Sequence, residues 1–251
     1  MTKPLASRIA LVTGASRGIG HATARALARA GAHVVAVART QGGLEELDDE
    51  IRSEGGSATL VPLDVTDYDG VARLGAALNE RHGKLDILIG NAGVAGPSSP
   101  LGHIDLKPWM DAIGVNLTAN FQLIRCMEPL LIHSDAGRAV FITSGTASKA
   151  SAYRGPYAAS KAGLEHLCGG DGAHARPRQS VQSGTDPPPH ARIRHAGRRP
   201  NDPRHTRAGC RIHPADVHAG LERDRQSLRL PYPLADELPV ADLTRRIFKN
   251  L

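Results

Sequence analysis

The sequence contains few cysteines and few aromatic residues. Its 251 residues include three Cys, three Phe, one Trp and four Tyr. Cys126, Cys168 and Cys210 lie far apart and form no Cys-x-x-Cys pair, which argues against a disulfide framework and a zinc site. No apolar run is long enough to cross a membrane, and the first residues lack the apolar core of a signal peptide. We therefore expect a soluble, cytoplasmic protein without a metal site, of a length that suits one α/β domain.

The first two-thirds of the chain carries no excess of either charge. Residues 1–167 contain 16 Lys and Arg against 16 Asp and Glu. Residues 168–251 contain 15 against 9, so the net charge of +6 lies entirely there, together with ten of the 17 prolines. This asymmetry divides the chain into a balanced part, residues 1–167, and a part rich in Arg, Pro and His, residues 168–251.

Apolar strand patterns alternate with helical patterns along residues 1–167. Strands are predicted at about 8–13, 33–38, 59–63, 85–89 and 139–143. Helices are predicted at about 21–30, 43–54, 68–82, 109–133 and 156–167. Strands that alternate with helical crossovers predict an α/β fold, a doubly wound parallel sheet covered on both faces. Such sheets bind ligands at the carboxyl ends of their strands.

A glycine-rich loop joins the first strand to the first helix. Gly14 permits a tight turn, Gly18 leaves room for a pyrophosphate, and Gly20 lets the helix pack closely. The free N–H groups and the positive end of the helix would face the phosphates. A glycine-rich turn without a ligand is the alternative for this stretch alone. The predicted cofactor contacts of the loop are Gly14, Ser16, Arg17, Gly18, Ile19 and Gly20.

The second and third strands end in charged residues. Strand two ends at Arg39, where an acid would accept from a ribose 2′-hydroxyl. Arg39 and Arg17 instead offer two guanidinium groups to a 2′-phosphate, which favours NADP over NAD. The alternative is that one or both are solvated surface arginines. Asp64, followed by Val65, lies after strand three, where it would accept from an adenine amino group or simply cap a helix.

Polar residues also follow strands four and five and interrupt two helices. Asn91-Ala92-Gly93 follows strand four, and Ser144 follows strand five. Asn116 lies inside an apolar helical stripe, where a satisfied helix kink is the alternative to a functional role. Tyr157 and Lys161 are four residues apart and share one helix face. An ammonium group beside a phenol favours the phenolate, although a surface pair is the alternative.

Together these features resemble the short-chain dehydrogenase/reductase family over about residues 5–167. The family's TGxxxGxG and NAG patterns are matched by Thr13, Gly14, Gly18 and Gly20, and by residues 91–93. Its active-site Asn, Ser, Tyr and Lys fall on Asn116, Ser144, Tyr157 and Lys161, with the serine thirteen residues before the tyrosine. The resemblance implies a Rossmann-type single domain that binds NAD(P), and the two arginines favour NADP.

The resemblance also implies an activity: NADP(H)-dependent hydride transfer to or from a small alcohol or carbonyl substrate. Tyr157 would act as general acid or base, and Lys161 would assist it and hold the nicotinamide ribose. Ser144 would hydrogen-bond the substrate oxygen, and Asn116 would hold a water that links Lys161 to solvent. Residues 96–105 would border the substrate pocket. The implied partners are a small-molecule substrate and other copies of the chain, with neither nucleic acid nor membrane.

The family pattern stops after Leu167. The expected sixth and seventh strands are missing, and Pro187-Pro188-Pro189 excludes a central strand. A basic tail that binds nucleic acid would explain the charge, but almost no aromatic residues are present there for stacking. A catalytically impaired NADP-binding protein is the other alternative. In many family members the last strand and helix form an oligomer interface, which residues 168–251 would not supply.

A shifted reading frame offers a different explanation of residues 168–251. Reading the degenerate codons of residues 175–203 from their second base permits V-R-V-N-L-F followed by N-P-G-P-T, as a sixth strand and its turn require. The same register permits N-E-T-G-K-L-Y-D-F over residues 222–230, which resembles the seventh strand. We predict a frameshift near residues 165–172, and we expect the chain as written to fold poorly and to have little activity.

Overall fold

Six parallel strands form one sheet in the computed structural model, which describes residues 3–149, 151–170 and 179–183. The strand order is β3-β2-β1-β4-β5-β6. Because the order reverses between β1 and β4, a crevice opens at the carboxyl ends of these two strands. The strands are β1 (Ile9–Thr13), β2 (His33–Ala38), β3 (Ser57–Pro62), β4 (Ile87–Gly90), β5 (Arg138–Ser144) and β6 (Gln179–Ser183).

Six α-helices connect and cover the strands in the described part of the chain. They are α1 (Gly18–Arg29), α2 (Gln41–Ser53), α3 (Tyr68–His82), α4 (Leu106–Ile113), α5 (Ala119–His133) and α6 (Gly155–Gly170). A π-helical turn, Gly114–Thr118, joins α4 to α5, so the helix predicted at 109–133 is present but wider in its middle. Among the described helices, none is both long enough and apolar enough to cross a membrane.

The core consists of two apolar layers, one on each face of the sheet. Side chains alternate along a strand, so Leu11 and Leu88 face one layer while Val12 and Ile89 face the other. The first layer packs against α3, α5 and α6, and the second packs against α1 and α2. Both faces of the parallel sheet are therefore covered. The predicted doubly wound α/β fold is confirmed.

The structure corrects one expectation about the region after Leu167. Gln179–Ser183 forms a sixth strand that pairs in parallel with β5, from Val140↔Gln179 to Ser144↔Ser183. Sequence patterning missed it because strand pairing uses backbone N–H and C=O groups, which any extended segment offers to an open sheet edge. Helix α6 also continues to Gly170, beyond its predicted end. The predicted absence of a seventh strand, the three prolines at 187–189 and Cys210 lie outside the described residues.

Candidate active site

The loop between β1 and α1 is open on the side where a phosphate is predicted. Gly14 and Gly18 have φ angles of +66° and +58°, a left-handed conformation that favours glycine. A Cβ atom at Gly18 would meet no described atom within 4 Å. The side chain of Arg17, the residue before α1, makes no capping hydrogen bond, and the first turn of α1 contains no acidic residue. The first N–H groups of this helix are thus free to bind an anion.

Thr13 and Asn91 tie the end of β1 to the end of β4. The Thr13 Oγ1 atom accepts from the backbone N–H groups of Asn91 and Ala92, at 3.0 and 3.1 Å. The Asn91 side-chain amide donates to the carbonyls of Thr13 and Gly14, at 2.9 and 3.2 Å. Gly20 must lack a side chain because a Cβ atom there would collide with Asn91 and the Gly14 carbonyl. The Asn91 side chain thus shapes the glycine loop.

Arg39 and Asp64 form an ion pair at the carboxyl ends of β2 and β3. Their Nη1 and Oδ2 atoms are 3.6 Å apart, and the Arg39 side chain is 68% exposed. The other Asp64 oxygen accepts from the backbone N–H and the hydroxyl of Thr66, at 2.9 and 2.7 Å. Burial raises the pKa of Asp64, but these bonds and Arg39 outweigh it and hold that pKa below its usual value.

The structure argues against the helix-cap interpretation of Asp64, while its predicted contact with an adenine stays a prediction. The residue that caps α3 is Asp67, whose carboxylate accepts from the N–H of Gly70 at 2.9 Å. Asp64 instead closes a local turn with Thr66. Val65 is buried in the core layer beside α3. Because an exposed ion pair is weak, the Arg39 guanidinium is free to exchange Asp64 for a bound anion.

Asn116 lies in the π-turn between α4 and α5 and is completely buried. Its Oδ1 atom accepts from the Val94 N–H at 2.8 Å, and its Nδ2 atom donates to the Val94 carbonyl at 2.9 Å. The second Nδ2 proton goes to Ser160 Oγ at 2.9 Å, and Ser160 in turn donates to the Tyr157 carbonyl at 2.8 Å. The helix irregularity and the polar network therefore occur at the same residue, and the carboxamide has no spare N–H for a substrate.

Lys161 is buried beside Tyr157 on helix α6. Only 3% of the residue is exposed, and Nζ lies 5.9 Å from the centre of the Tyr157 ring. Nζ donates to the Ile142 carbonyl at 2.6 Å, and no described carboxylate lies within 4 Å of it. Burial lowers the pKa of Lys161 to about 8. A buried cation with two unused N–H donors and no anionic partner is suited to holding polar groups of a ligand.

Gly93 brings Asn116 and Lys161 together. A Cβ atom at Gly93 would lie 3.3 Å from Asn116 Oδ1 and 3.6 Å from Lys161 Nζ. Both side chains therefore border the segment that leaves β4, although they belong to different helices. Any larger residue at position 93 would crowd them.

Ser144 ends β5 and is almost completely buried. Its Oγ atom accepts from the N–H and the hydroxyl of Thr146, at 3.3 and 3.1 Å. No described group accepts the Ser144 hydroxyl proton, so this proton is free to reach a ligand oxygen. Ser144 lies two residues after Ile142, whose carbonyl binds Lys161.

The segment predicted to border the substrate pocket lies against the residues that precede Tyr157. The Ser99 N–H donates to the Tyr153 carbonyl at 3.2 Å. Leu101 packs directly on Gly155, the first residue of α6, and both Leu101 and Tyr153 keep exposed side chains. This segment therefore forms one wall beside the Tyr157 helix.

Known proteins share this arrangement of elements. The model of the short chain dehydrogenase family matches residues 8–179. The chain belongs to the short chain dehydrogenase family. One relative, the cis-4-hydroxycyclohexanecarboxylate dehydrogenase of Sinomonas cyclohexanicum, is 38% identical over 170 residues, which are 66% of this chain and 67% of that protein. The chain spans 55–67% of the length of four such curated relatives.

Solved structures of short chain dehydrogenases share the fold. A metagenomic short-chain oxidoreductase in complex with NADP is 34% identical, with a TM-score of 0.69 over 72% of this chain and 84% of that chain. A short chain dehydrogenase of Shigella flexneri 2a, also complexed with NADP, is 30% identical, with the same TM-score over 73% of this chain and 80% of that chain.

The described residues of this short chain dehydrogenase fit a nicotinamide dinucleotide. Gly18 leaves space at the uncapped start of α1, where a pyrophosphate would be held. Lys161 offers a buried cation, without an anionic partner among the described residues, at the end of β5. In the described part of the chain, no group of three His, Cys, Asp or Glu could hold a metal ion.

Sequence reasoning missed four residues that shape this site. Ser160 links Asn116 to the Tyr157 helix, Val94 holds the Asn116 carboxamide, and Ile142 binds Lys161 through its carbonyl. Asn120 donates to the Asn116 carbonyl. Two of these residues act through backbone atoms, which carry no sequence signal. Ser160 and Asn120 are polar residues inside helical patterns, and that signal alone does not distinguish a buried partner from an exposed side chain.

Proposed function

We propose that this chain is an NADP(H)-dependent oxidoreductase that transfers hydride between a nicotinamide and a small alcohol or carbonyl substrate. The observation that carries the proposal is the buried Lys161 ammonium on the same helix face as Tyr157, beside Gly93 and Asn116. A bound nicotinamide supplies or accepts the hydride. The chain's own residues bind the cofactor, orient the substrate and move a proton.

Tyr157 exchanges the proton in this mechanism. During carbonyl reduction its phenol gives a proton to the substrate oxygen, and during alcohol oxidation its phenolate removes that proton. The neighbouring Lys161 ammonium favours the phenolate electrostatically. Lys161 also uses its two remaining N–H donors to hold the nicotinamide ribose.

Ser144 and Asn116 complete the proposed site. The free hydroxyl proton of Ser144 binds the substrate oxygen, and this bond strengthens as negative charge develops on that oxygen. Because both N–H donors of the Asn116 carboxamide are used by Val94 and Ser160, Asn116 acts by tying the π-turn to the segment after β4 and to helix α6. The water that links Lys161 to solvent is then held by backbone atoms of this turn.

The cofactor preference rests on the two arginines. Arg17 and Arg39 are both exposed, and their guanidinium groups would bind a ribose 2′-phosphate. Two structurally similar relatives were solved with NADP, which supports the same cofactor here. We therefore propose NADP(H) rather than NAD(H).

The experiment measures cofactor binding and turnover separately on the purified full chain. We expect NADPH to bind more tightly than NADH and to be oxidised slowly with a panel of small aldehydes and ketones, in keeping with the little activity expected of the chain as written. Tyr157→Phe should keep NADPH binding and lose at least about 100-fold in turnover, since it removes the proton donor. If NADPH does not bind, the proposal is wrong.

A second candidate function is a catalytically impaired NADP-binding protein. It is favoured by the length of the match, because the chain spans only 55–67% of four curated relatives. Tight NADPH binding by the full chain without turnover on any carbonyl of the panel would support this second function. In that case Tyr157→Phe would change nothing that can be measured.

A further inference from the structure

Asn120 makes an unusual contact with the proposed active site. Its side-chain Nδ2 atom donates to the backbone carbonyl of Asn116 at 2.8 Å. In an α-helix, that carbonyl accepts from the backbone N–H four residues later, which is the N–H of Asn120 itself. Here the chain forms a π-turn, in which Ala119 donates five residues back to Gly114. The side chain of Asn120 thus contacts the carbonyl at the point where the helix widens.

Burial shows that this amide is not an incidental surface group. Asn120 is 2% exposed and lies on the face of α5 that packs against the sheet. A Cβ atom at Gly90 would lie 2.5 Å from Asn120 Oδ1, so the glycine at the end of β4 leaves the space that this amide occupies. An apolar side chain would be cheaper to bury there, because a buried amide must keep its hydrogen bonds.

The contact leads directly to the candidate catalytic residues. Asn120 holds the carbonyl of Asn116, and the Asn116 carboxamide holds both backbone groups of Val94 and the hydroxyl of Ser160. Ser160 then holds the carbonyl of Tyr157. Three elements meet in this chain of hydrogen bonds: the π-turn, the segment after β4 and helix α6. A change in the position of the Asn116 backbone would displace its carboxamide from both partners.

We propose that Asn120 is a positioning residue for the hydride-transfer site, acting through the Asn116 carbonyl. Its amide fixes the π-turn and thereby keeps Asn116 bound to Val94 and Ser160. The inference rests on the proposed function for its catalytic consequence. Its structural consequence is independent of turnover.

The test compares Asn120→Val with Asn120→Thr. The two variants have the same shape, but only threonine carries a hydroxyl, which donates readily to the carbonyl four residues earlier in a helix. The first readout is hydrogen exchange of the Val94 amide, measured by NMR, because that N–H donates to Asn116 Oδ1. We expect exchange to be at least tenfold faster in Asn120→Val than in the native chain, and to be largely restored in Asn120→Thr. Amides of β1 should exchange alike in all three proteins.

The second readout compares the effect of each variant on kcat with its effect on the NADPH dissociation constant. Asn120→Val should lower kcat at least tenfold and leave the NADPH dissociation constant within about twofold, because the Asn120 amide donates to the Asn116 carbonyl and no described hydrogen bond joins it to the glycine loop. Asn120→Thr should recover most of kcat. A purely structural role would instead lower the yield of folded protein and leave kcat per folded site unchanged.

Gln122→Leu is the matched control. Gln122 is on the same helix, and its Oε1 atom is buried without a hydrogen-bond partner in the described residues. Its replacement should leave both readouts unchanged.

Equal Val94 exchange in the Val and Thr variants would overturn the proposal. If the native chain shows no turnover, the proposed function fails, while the exchange comparison still decides the role of Asn120. If the β-branched pair does not fold, Asn120→Ala and Asn120→Ser provide the same comparison.

Discussion

The Lys161 ammonium donates a 2.6 Å hydrogen bond to the carbonyl oxygen of Ile142. Strand β4 ends at Gly90, which pairs with Phe141, so Ile142 is the first β5 residue beyond the last β4 partner. Lys161 of α6 therefore binds β5 just beyond the end of β4. This bond fixes the helix that carries Tyr157 to the strand that carries Ser144.

The buried Lys161 should make stability depend on pH in the alkaline range. Its pKa falls from 10.5 to about 8 on folding, because burial disfavours the charged form. Below pH 8 the folded state bears the full cost of the buried charge, and above pH 10.5 it bears none. The free energy of unfolding should therefore rise between these pH values by about 3 kcal/mol from this group.

Urea denaturation across that pH range measures the effect. Lys161→Met should remove the rise, since methionine does not titrate. Lys107→Met is the control, because Lys107 is exposed on α4 and pairs with the exposed Asp111 one turn away. The same pH dependence in the native chain and in Lys161→Met would show that other groups are responsible.

Gly18→Ala should weaken cofactor binding without disrupting the fold. Gly18 has a φ of +58°, so alanine costs about 1 kcal/mol of stability there. A Cβ atom at Gly18 meets no described atom. If the pyrophosphate binds at this loop, as we propose, the added methyl group should crowd it. We expect the NADPH dissociation constant to rise at least tenfold by calorimetric titration.

The matched control for Gly18 is Gly83, the residue that ends α3. It has a φ of +66°, and a Cβ atom there also meets no described atom within 4 Å. Gly83→Ala should therefore lose similar stability and keep native NADPH affinity. Equal affinities of the two variants would contradict a phosphate site at Gly18.

Arg39→Ala should reduce the preference for NADPH over NADH. A charge-assisted bond between Arg39 and a 2′-phosphate would contribute about 1.5 kcal/mol, or tenfold in affinity. NADH lacks this phosphate, so its dissociation constant should change less than twofold. Arg52→Ala is the control, since Arg52 is equally exposed and pairs with Asp48 at 2.8 Å on α2. A parallel loss of NADH affinity in Arg39→Ala would exclude a role specific to the phosphate.

The shifted reading frame after about residue 167 stays a prediction. Sequencing the source DNA across codons 160–235 would test it directly, and we expect one or two bases to be missing or extra near codons 165–172. A clean DNA sequence would contradict the frameshift and favour the impaired NADP-binding protein. The corrected frame should yield a chain with higher turnover in the NADPH assay than the chain as written.

Most of the fold and many candidate residues could be predicted because their signals are local. Apolar runs and helical periods predicted the first five strands and the helices between them to within a few residues. The secondary structure after Leu167 was less predictable. Gln179–Ser183 pairs with β5 through backbone groups, and no side-chain pattern indicates such pairing.

The sequence by itself determined the glycine loop and the shared face of Tyr157 and Lys161, because turn conformation and helical spacing depend only on neighbouring residues. Tertiary structure alone decided that Lys161 binds the Ile142 carbonyl, that Asn116 binds Val94 and Ser160, and that Asn120 binds Asn116 across a π-turn. The first two sets of bonds require elements from distant parts of the chain to meet at one crevice, and the third requires a local widening of the helix. Sheet order and helix packing set the geometry of these bonds, and neither can be predicted from one segment of the sequence.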